Sequence, residues 1–504
     1  MTSGAQPLTI GRGIRAVADR FPDKSAIHCG DDTLSYAELM DRAARAAAML
    51  AEDYGVGPGD RVALIAPNCL EYLEIIIAVS DLGAMTAALS PKLSSTELNG
   101  ILKDCAPRLV IHANDIARAD IGLGCASLGF DAYIAAIEAT APSPVKDIAV
   151  ETEPFVLHYT SGTTGAPKGV MVPHRSRVLS FLGMASEYGC YGPDDHFLAI
   201  APLCHGAGLA FALASLYTGG TVTLEADFNP SRLVHMLGDR AITGLFCVPT
   251  HFQRIFELPK ADLATVKQHK LKALISNAAP LLQADKEKVI DLFGEGILFE
   301  CYGATESGIV TNLRPHQHLE KADCVGSPFV ATQVKLLNED GSPTPVGEVG
   351  ELFSRSPYLF SGYWQRDEDT KEAWREDWVS VGDLARCDED GCYYILGRKN
   401  DMILSGGINI YPKMIEDILL TLDGVEEVAV VGLPDPKWGQ IVHAEIVMRG
   451  DASLTSQEVI AFCRNDLSAY AVPKSVSFAN HLPRNSGGKV LKRAIREEAL
   501  SKRR

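Results

Sequence analysis

Across its first quarter the chain alternates short apolar runs with helix-length segments. "RVALIA" is followed by "LEYLEIIIAVSDLG", "TAALS" by "SSTELNGILKDC", and "RLVIH" comes next. Strands joined through helices run parallel, because the crossover carries the chain back before the next strand begins. The rhythm therefore predicts βαβ units around a parallel sheet. A second set follows: "DHFLAIAPL", "GTVTLEA", "SRLVHMLGDRAITGLFCVP", "LKALISNAAP" and the apolar residues from Ile297 to Glu300. From about residue 325 short strands and turns take over, with "EDG" in "TQVKLLNEDGSPTPVGEVGELFSRS" as a hairpin-type turn. After "GRKND" the texture changes again. "KMIEDILLTLDG", "EEVAVVGLPD", "IVHAEIVMRG" and "SQEVIAFCRNDLSA" describe an α+β unit of roughly one hundred residues.

A chain of 504 residues is too long for one compact core. The expected fold is α/β. A large N-terminal domain, residues 1–398, consists of parallel-sheet α/β layers plus a small β-rich portion. A small α+β C-terminal domain, residues 399–504, follows.

The formal net charge of −17 argues against a general nucleic-acid binder. No uncharged apolar stretch approaches the ~20 residues that span a bilayer, so stable membrane insertion is not expected. The N-terminus lacks the apolar core of a signal peptide, and its "IRAVADRF" reads as an amphipathic helix. Twelve cysteines are scattered without a CxxC pair, which signals neither a disulfide framework nor a zinc site. Reduced thiols and a cytoplasmic location are expected. "HQH" at 316–318 reads as a polar loop, and "KVLKRAIREEALSKRR" as a solvated terminal helix.

"YTSGTTGAPKG" packs Thr160, Ser161, Gly162, Thr163, Thr164 and Gly165 ahead of Lys168. Such a loop suits a polyphosphate: glycine lets backbone N–H groups approach closely, and the ammonium adds charge. It is not a Walker loop, which needs glycine before the lysine and Ser or Thr after it. Here Pro167 precedes Lys168 and Gly169 follows. A flexible linker has a similar composition. However, "FVLHY" before the loop reads as a buried strand, and apolar residues follow it, with a helix beginning near His174. A loop clamped between core elements has a job.

Four further stretches stand in order behind that loop: "YGATE" (302–306), "SVGDLA" (380–385), "GRKNDMILSGGINIYP" (397–412) and "PRNSGGKVLKR" (483–493). Together the five resemble the adenylate-forming superfamily of acyl-CoA synthetases, adenylation domains and luciferases, in character nearest the bacterial acyl-CoA and aryl-CoA ligases. The resemblance implies that a carboxylate is first joined to AMP with release of pyrophosphate, and that a nucleophile then displaces AMP. Cationic and N–H donors should surround the oxygens on which charge develops. By the same resemblance the loop from Thr160 to Lys168 holds the β- and γ-phosphates. Thr305 contacts the α-phosphate and Glu306 holds Mg2+, a role one carboxylate can fill alongside phosphate oxygens and water. Asp383 and Arg398 contact the ribose. "NAAP" (277–280, with Ala278) and "CYG" (301–303) surround adenine, Tyr302 stacking on it. Lys489 is the catalytic lysine that bridges carboxylate and α-phosphate.

His205, in "APLCHGAGLA", matches the family's aromatic gate beside the acyl carboxylate. Gly206, Ala207, Gly208 and Ala210 leave room behind it, and Gly303 borders the same acyl pocket. "LFEC" before "YGATE" offers no arginine to a second carboxylate, which weighs against a short diacid. Gly406 and Gly407 match the wall of the pantetheine tunnel, and Trp438 and Lys474 match coenzyme contacts. The resemblance also implies a mobile C-terminal domain, with the hinge at Asn400 and neighbouring Asp401 as its competitor. Two positions depart from the pattern: Ala471 replaces a common lysine or arginine, and Asn400 a usual Asp or Lys. Asn229, in "FNPS", stands where amino-acid-activating relatives carry aspartate, favouring a plain carboxylic acid.

The function expected is an AMP-forming acyl-CoA synthetase using ATP, Mg2+ and CoA on a monocarboxylic acid of aryl or medium-chain type. With no carrier-protein domain after Lys489, free CoA is the expected thiol. One alternative is a stand-alone enzyme loading a carrier protein, and another is a non-catalytic nucleotide-binding protein. No nucleic-acid partner is expected, and room is left for a homodimer.

Overall fold

The computed structural model describes residues 6–116, 125–143, 148–160, 167–239, 241–450, 452–484 and 490–502. The chain forms two compact units. One comprises Met1–Val334 and Ser354–Val379, and the other Lys335–Phe353 and Ser380–Arg504.

The first unit contains the expected parallel strands, divided between two sheets. In one, Pro154–Thr160, Met85–Leu89, Arg61–Ile65, Leu109–His112 and Ala126–Gly129 lie side by side and parallel. Lys168–Pro173 and Gly362–Tyr363 extend that sheet antiparallel at its other edge. The other sheet is parallel through Ser25–Cys29, Thr221–Leu224, His196–Ala199, Gly244–Cys247, Ala273–Ser276 and Leu298–Ala304. Asp32–Ser35 closes one edge of it, and Gly308–Leu313 followed by Ser327–Pro328 the other, all antiparallel. "LEYLEIIIAVSD" forms the helix Leu70–Asp81, and every residue from Tyr72 onward is buried. It packs against strands of both sheets and against the helices Ile10–Arg20 and Tyr36–Tyr54. A helix that is apolar all round has no solvent face to offer, so burial between layers is its stable place.

Helix starts follow local chemistry. Ser35 with Glu38, Ser94 with Glu97 and Thr455 with Glu458 each close a capping box that satisfies the first free N–H groups. The "EDG" turn joins Leu337 to Pro343 in an antiparallel bridge, with Gly341 at a positive φ.

In the second unit Val425–Asp435 and Gly439–Met448 make a long antiparallel hairpin. Ile403–Ser405 and Ile408–Ile410 flank it, and Ser475–Ala479 joins in parallel. Helices Pro412–Leu420 and Ser456–Asp466 cover this sheet and enclose a core of Ile403, Ile415, Val430, Val442 and Val459. All twelve cysteines are free. Among the described residues, no helix is long and apolar enough to cross a membrane.

The central helix carries two buried acids: Asp81, paired with Arg15 at 2.7 Å, and Glu74. Arg42 Nε donates to Glu74 at 2.5 Å, and the Tyr133 hydroxyl donates to the other carboxylate oxygen. Glu74 is fully buried and Arg42 is a quarter exposed. Burial pushes the Glu74 carboxyl above the ordinary range, and Arg42 pulls it part of the way back. A carboxyl raised in the folded state favours folding most below its unfolded value and loses that contribution as pH rises through the folded one. Removing Arg42 raises the folded value further. Arg42→Met should therefore cost about 2–3 kcal/mol at pH 8, less than a fully buried pair, and clearly less at pH 5. Denaturant titrations at the two pH values check this; equal losses would contradict it.

Candidate active site

Thr160 ends the strand Pro154–Thr160, and Lys168 opens the return strand directly opposite it. The two are thus paired on adjacent antiparallel strands, whereas a Walker loop runs from strand into helix. Ser161, Gly162, Thr163, Thr164 and Gly165 lie outside the described residues. Lys168 Nζ sits 2.8 Å from Asp369 Oδ1 and 5.2 Å from the centre of the Tyr363 ring. The Tyr363 hydroxyl in turn donates to Glu306 Oε1 at 2.8 Å. One tyrosine therefore ties the phosphate-loop lysine to the candidate metal carboxylate. Glu306 is 8% exposed, and no cation pairs with it among the described residues. A buried carboxylate without a protein cation fits a divalent metal ion, which would supply the missing charge.

The nine-stranded sheet brings the next group. Thr305 follows the strand Leu298–Ala304, and His205 caps the helix Gly206–Tyr217. A Cβ added at Gly206 would stand 3.3 Å from Thr305 Oγ1 and 3.8 Å from His158 Cδ2. The expected gate segment, the threonine expected at the α-phosphate and a histidine of the other sheet meet at this glycine. Burial holds the His205 imidazole below its ordinary pKa, which favours the uncharged ring at neutral pH. Ala207 is half-buried in the same turn. Gly208 serves packing, since a Cβ there would lie 2.3 Å from the Pro202 carbonyl oxygen. Gly303 is likewise demanded by backbone: its Cβ would fall 2.0 Å from the Gly308 carbonyl oxygen across the hairpin.

The parallel pairing of Ser276 with Glu300 sets "NAAP" beside "CYG". Asn277 Nδ2 donates to Cys301 Sγ at 3.1 Å, and the Asn277 side-chain oxygen accepts from the Ala278 N–H. Ala278 has φ +75, a conformation alanine adopts only where its surroundings enforce it. Tyr302 is half-buried next to this segment. Glu300 of "LFEC" makes a buried ion pair with Lys286 at 2.6 Å. His318 of "HQH" is a core residue, fully buried and hydrogen-bonded at 2.9 Å to the Leu298 carbonyl.

In the second unit Asp383 and Arg398 stand opposite each other on adjacent antiparallel strands, 2.6 Å apart. Arg398 also donates to the Val381 carbonyl at 3.0 Å. Asn400 is exposed in the 3-10 turn Lys399–Asp401, and it is not among the residues of positive φ. Lys399, beside it, pairs with Glu351 at 3.0 Å. Gly406 and Gly407 are the two-residue turn between paired Ser405 and Ile408, with φ +59 and +82. Gly406 N–H donates to the Trp438 carbonyl at 2.8 Å, and a Cβ at Gly406 would meet the indole at 2.9 Å. A Cβ at Gly407 meets nothing within 4 Å. Lys437 and Trp438 N–H both donate to Asp435 Oδ1 at 2.9 Å, and the half-exposed indole is held there. Lys474 Nζ reaches the Ala469 carbonyl at 3.0 Å, while Ala471 belongs to the core. Lys489 lies outside the described residues.

His158 is the residue that motif reading passes over. It stands in "FVLHY" as one polar letter in an apolar strand, and a strand's alternation puts it on the same face as Thr160.

The chain matches the model of AMP-binding enzymes over residues 14–364 and that of the AMP-binding enzyme C-terminal domain over 414–489. It is 36% identical over 483 residues to a feruloyl-CoA synthase of an Amycolatopsis species, across 94% of this chain and 96% of that protein. It superposes on ATP-bound MatB from Rhodopseudomonas palustris with a TM-score of 0.90 at 29% identity, covering 98% and 99% of the two chains. For o-succinylbenzoate CoA synthetase (MenE) from Bacillus subtilis, in complex with the acyl-adenylate intermediate OSB-AMP, the TM-score is 0.87 at 26% identity, covering 97% and 98%. The chain belongs to the AMP-binding enzyme family, the adenylate-forming group that its five motifs resemble. It is an acid–thiol ligase.

The glycine turn separates backbone demand from ligand demand. Gly406→Ala should lose about 1–2 kcal/mol, through left-handed strain and the indole contact. Gly407→Asn should stay within about 0.5 kcal/mol, since asparagine enters that region readily and its side chain meets open space. Thermal melts of the two variants check the ordering.

Proposed function

We propose that this ligase is an AMP-forming acyl-CoA synthetase that works through an acyl-adenylate on an aryl or medium-chain carboxylic acid. The observation that carries the proposal is the convergence of Lys168, Tyr363 and Glu306 with the meeting of Gly206, Thr305 and His158 in one compact unit. Lys168 and the Thr160–Gly165 loop bind the departing pyrophosphate, and the hydroxyl of Thr305 orients the α-phosphate. Glu306 would hold Mg2+, whose charge offsets that of the phosphate oxygens. The neutral His205 ring closes the acyl side and keeps water from the mixed anhydride. Asp383 and Arg398, already paired, are preorganised to hold the ribose hydroxyls. Lys489 supplies charge to the reacting oxygens during adenylation.

Lys489 and the Gly407 turn serve successive half-reactions. The C-terminal domain, residues 399–504, presents each in turn, with Asn400 as the pivot. Thioester formation follows when CoA reaches the adenylate past Gly406 and Gly407, with Trp438 and Lys474 on the coenzyme. A carrier protein in place of CoA is distinguished by supplying CoA alone as the thiol.

The test is product analysis. With ATP, Mg2+, CoA and a panel of carboxylic acids, AMP, pyrophosphate and thioester should appear in equal amounts; stoichiometric ADP and phosphate would sink the reading. Lys489→Ala should slow pyrophosphate exchange by about 100-fold or more while sparing thioester formation from preformed adenylate. Gly407→Asn should do the reverse, and an equal loss in both half-reactions for either variant would remove its assignment.

A further inference from the structure

Arg177 lies on the helix His174–Tyr188, 8% exposed, and makes no hydrogen bond or ion pair among the described residues. Burial alone moves its guanidinium, down to about 10, so it remains cationic at neutral pH. An unpaired buried charge costs stability, and proteins keep one where a ligand completes it. Its neighbourhood is also unsatisfied. His158 is buried and its Nδ1 has no hydrogen-bond partner. Burial, then the charge of Arg177, holds that imidazole neutral, down to about 3. Ser180, one turn along from Arg177, leaves a buried hydroxyl without a partner. His158 in turn stands beside Gly206, and Gly206 beside Thr305. His158 is hydrogen-bonded to the Cys204 backbone, so what lacks partners is its Nδ1, the Ser180 hydroxyl and the Arg177 guanidinium, and of these residues it is His158 that adjoins Gly206.

We propose that Arg177, with His158, recognises a second electron-rich oxygen on the acid substrate, a carboxylate or a phenolic oxygen remote from the carboxyl being activated. This rests on the synthetase reading and deepens it. The expectation against a second carboxylate rests on one segment, "LFEC", that lacks arginine. The fold supplies an arginine from another element. A purely apolar acyl chain would leave the guanidinium unpaired in both free and bound enzyme, where leucine or methionine would serve better.

The experiment compares acids of one skeleton: cinnamate, 4-hydroxycinnamate and 4-carboxycinnamate, and hexanoate against adipate. Wild type should favour an oxygen-bearing member over its plain counterpart by about 100-fold in kcat/KM, and the member preferred tells carboxylate from phenol. Arg177→Met should bring that ratio close to one through loss on the oxygen-bearing acid, with the KM for ATP changed by less than about twofold. It should also melt at a higher temperature than wild type, because an apolar chain replaces an unpaired charge. An unchanged ratio, a wild type that prefers the plain acids, a weakened KM for ATP or a lower melting temperature each overturns the proposal. A wild type that forms neither AMP nor thioester with any acid overturns the synthetase reading itself, and this inference with it.

Discussion

Parallel strands impose the constraint on which the site depends. Strands that run the same way place all their carboxyl ends at one edge, and the loops that follow collect there. Thr160, the segment leading to His205, Asn277 and Thr305 each stand just past the end of a strand of the first unit. None of these residues is near the others in sequence. Gly206 marks where the two sheets' contributions meet, with Thr305 from one and His158 from the other within contact of the same missing Cβ. Any side chain at 206 would push into that meeting point. The glycine is therefore a condition of that close approach.

Most elements follow ordinary local rules, and several of the exceptions stand at the candidate site. Three helix starts close capping boxes, the central helix is buried from Tyr72 onward, and its buried acids Glu74 and Asp81 pair with Arg42 and Arg15. Ala278 is held at positive φ, and among the described residues Glu306 and Arg177 are buried without an ion-pair partner and His158 Nδ1 without a hydrogen-bond partner. Consistent local choices make a fold, and departures from them are where function draws on stability.

Legibility in the sequence divides along the same line. Strand–helix alternation shows directly in residues such as "RVALIA" and "LEYLEIIIAVSD", because period and length carry that information. The grouping of those strands into two sheets does not show, since pairing depends on contacts far apart in the chain. Lys168 and Glu306 are visible as motif letters, but Tyr363, which joins them, sits in "SGYWQ" with nothing local to mark it. Arg177 and His158 carry no local mark either: a guanidinium's partners, or lack of them, exist only in three dimensions. In the opposite direction, Gly208 and Gly303 look like pocket space in the sequence, and the structure shows backbone carbonyls filling that space. Asn400, expected at the hinge, is exposed in the 3-10 turn Lys399–Asp401.

Charge poses the remaining physical problem. The chain carries a formal −17, while the proposed nucleotide, coenzyme and acid are all anions. At physiological ionic strength the Debye length is about 8 Å, so most surface carboxylates are screened from the site. What the substrates meet is local. Lys168, 16% exposed, and Arg177, 8% exposed, are shielded from water, where a charge at 4 Å is worth about 4 kcal/mol at an effective dielectric of 20 against about 1 in water. The buried histidines strengthen this pattern by staying neutral. His158 and His205 add donors and acceptors to the wall without adding cations that would compete for the same anions. An acidic protein can bind acidic substrates because its few positive charges in this region are buried and its many negative ones are solvated.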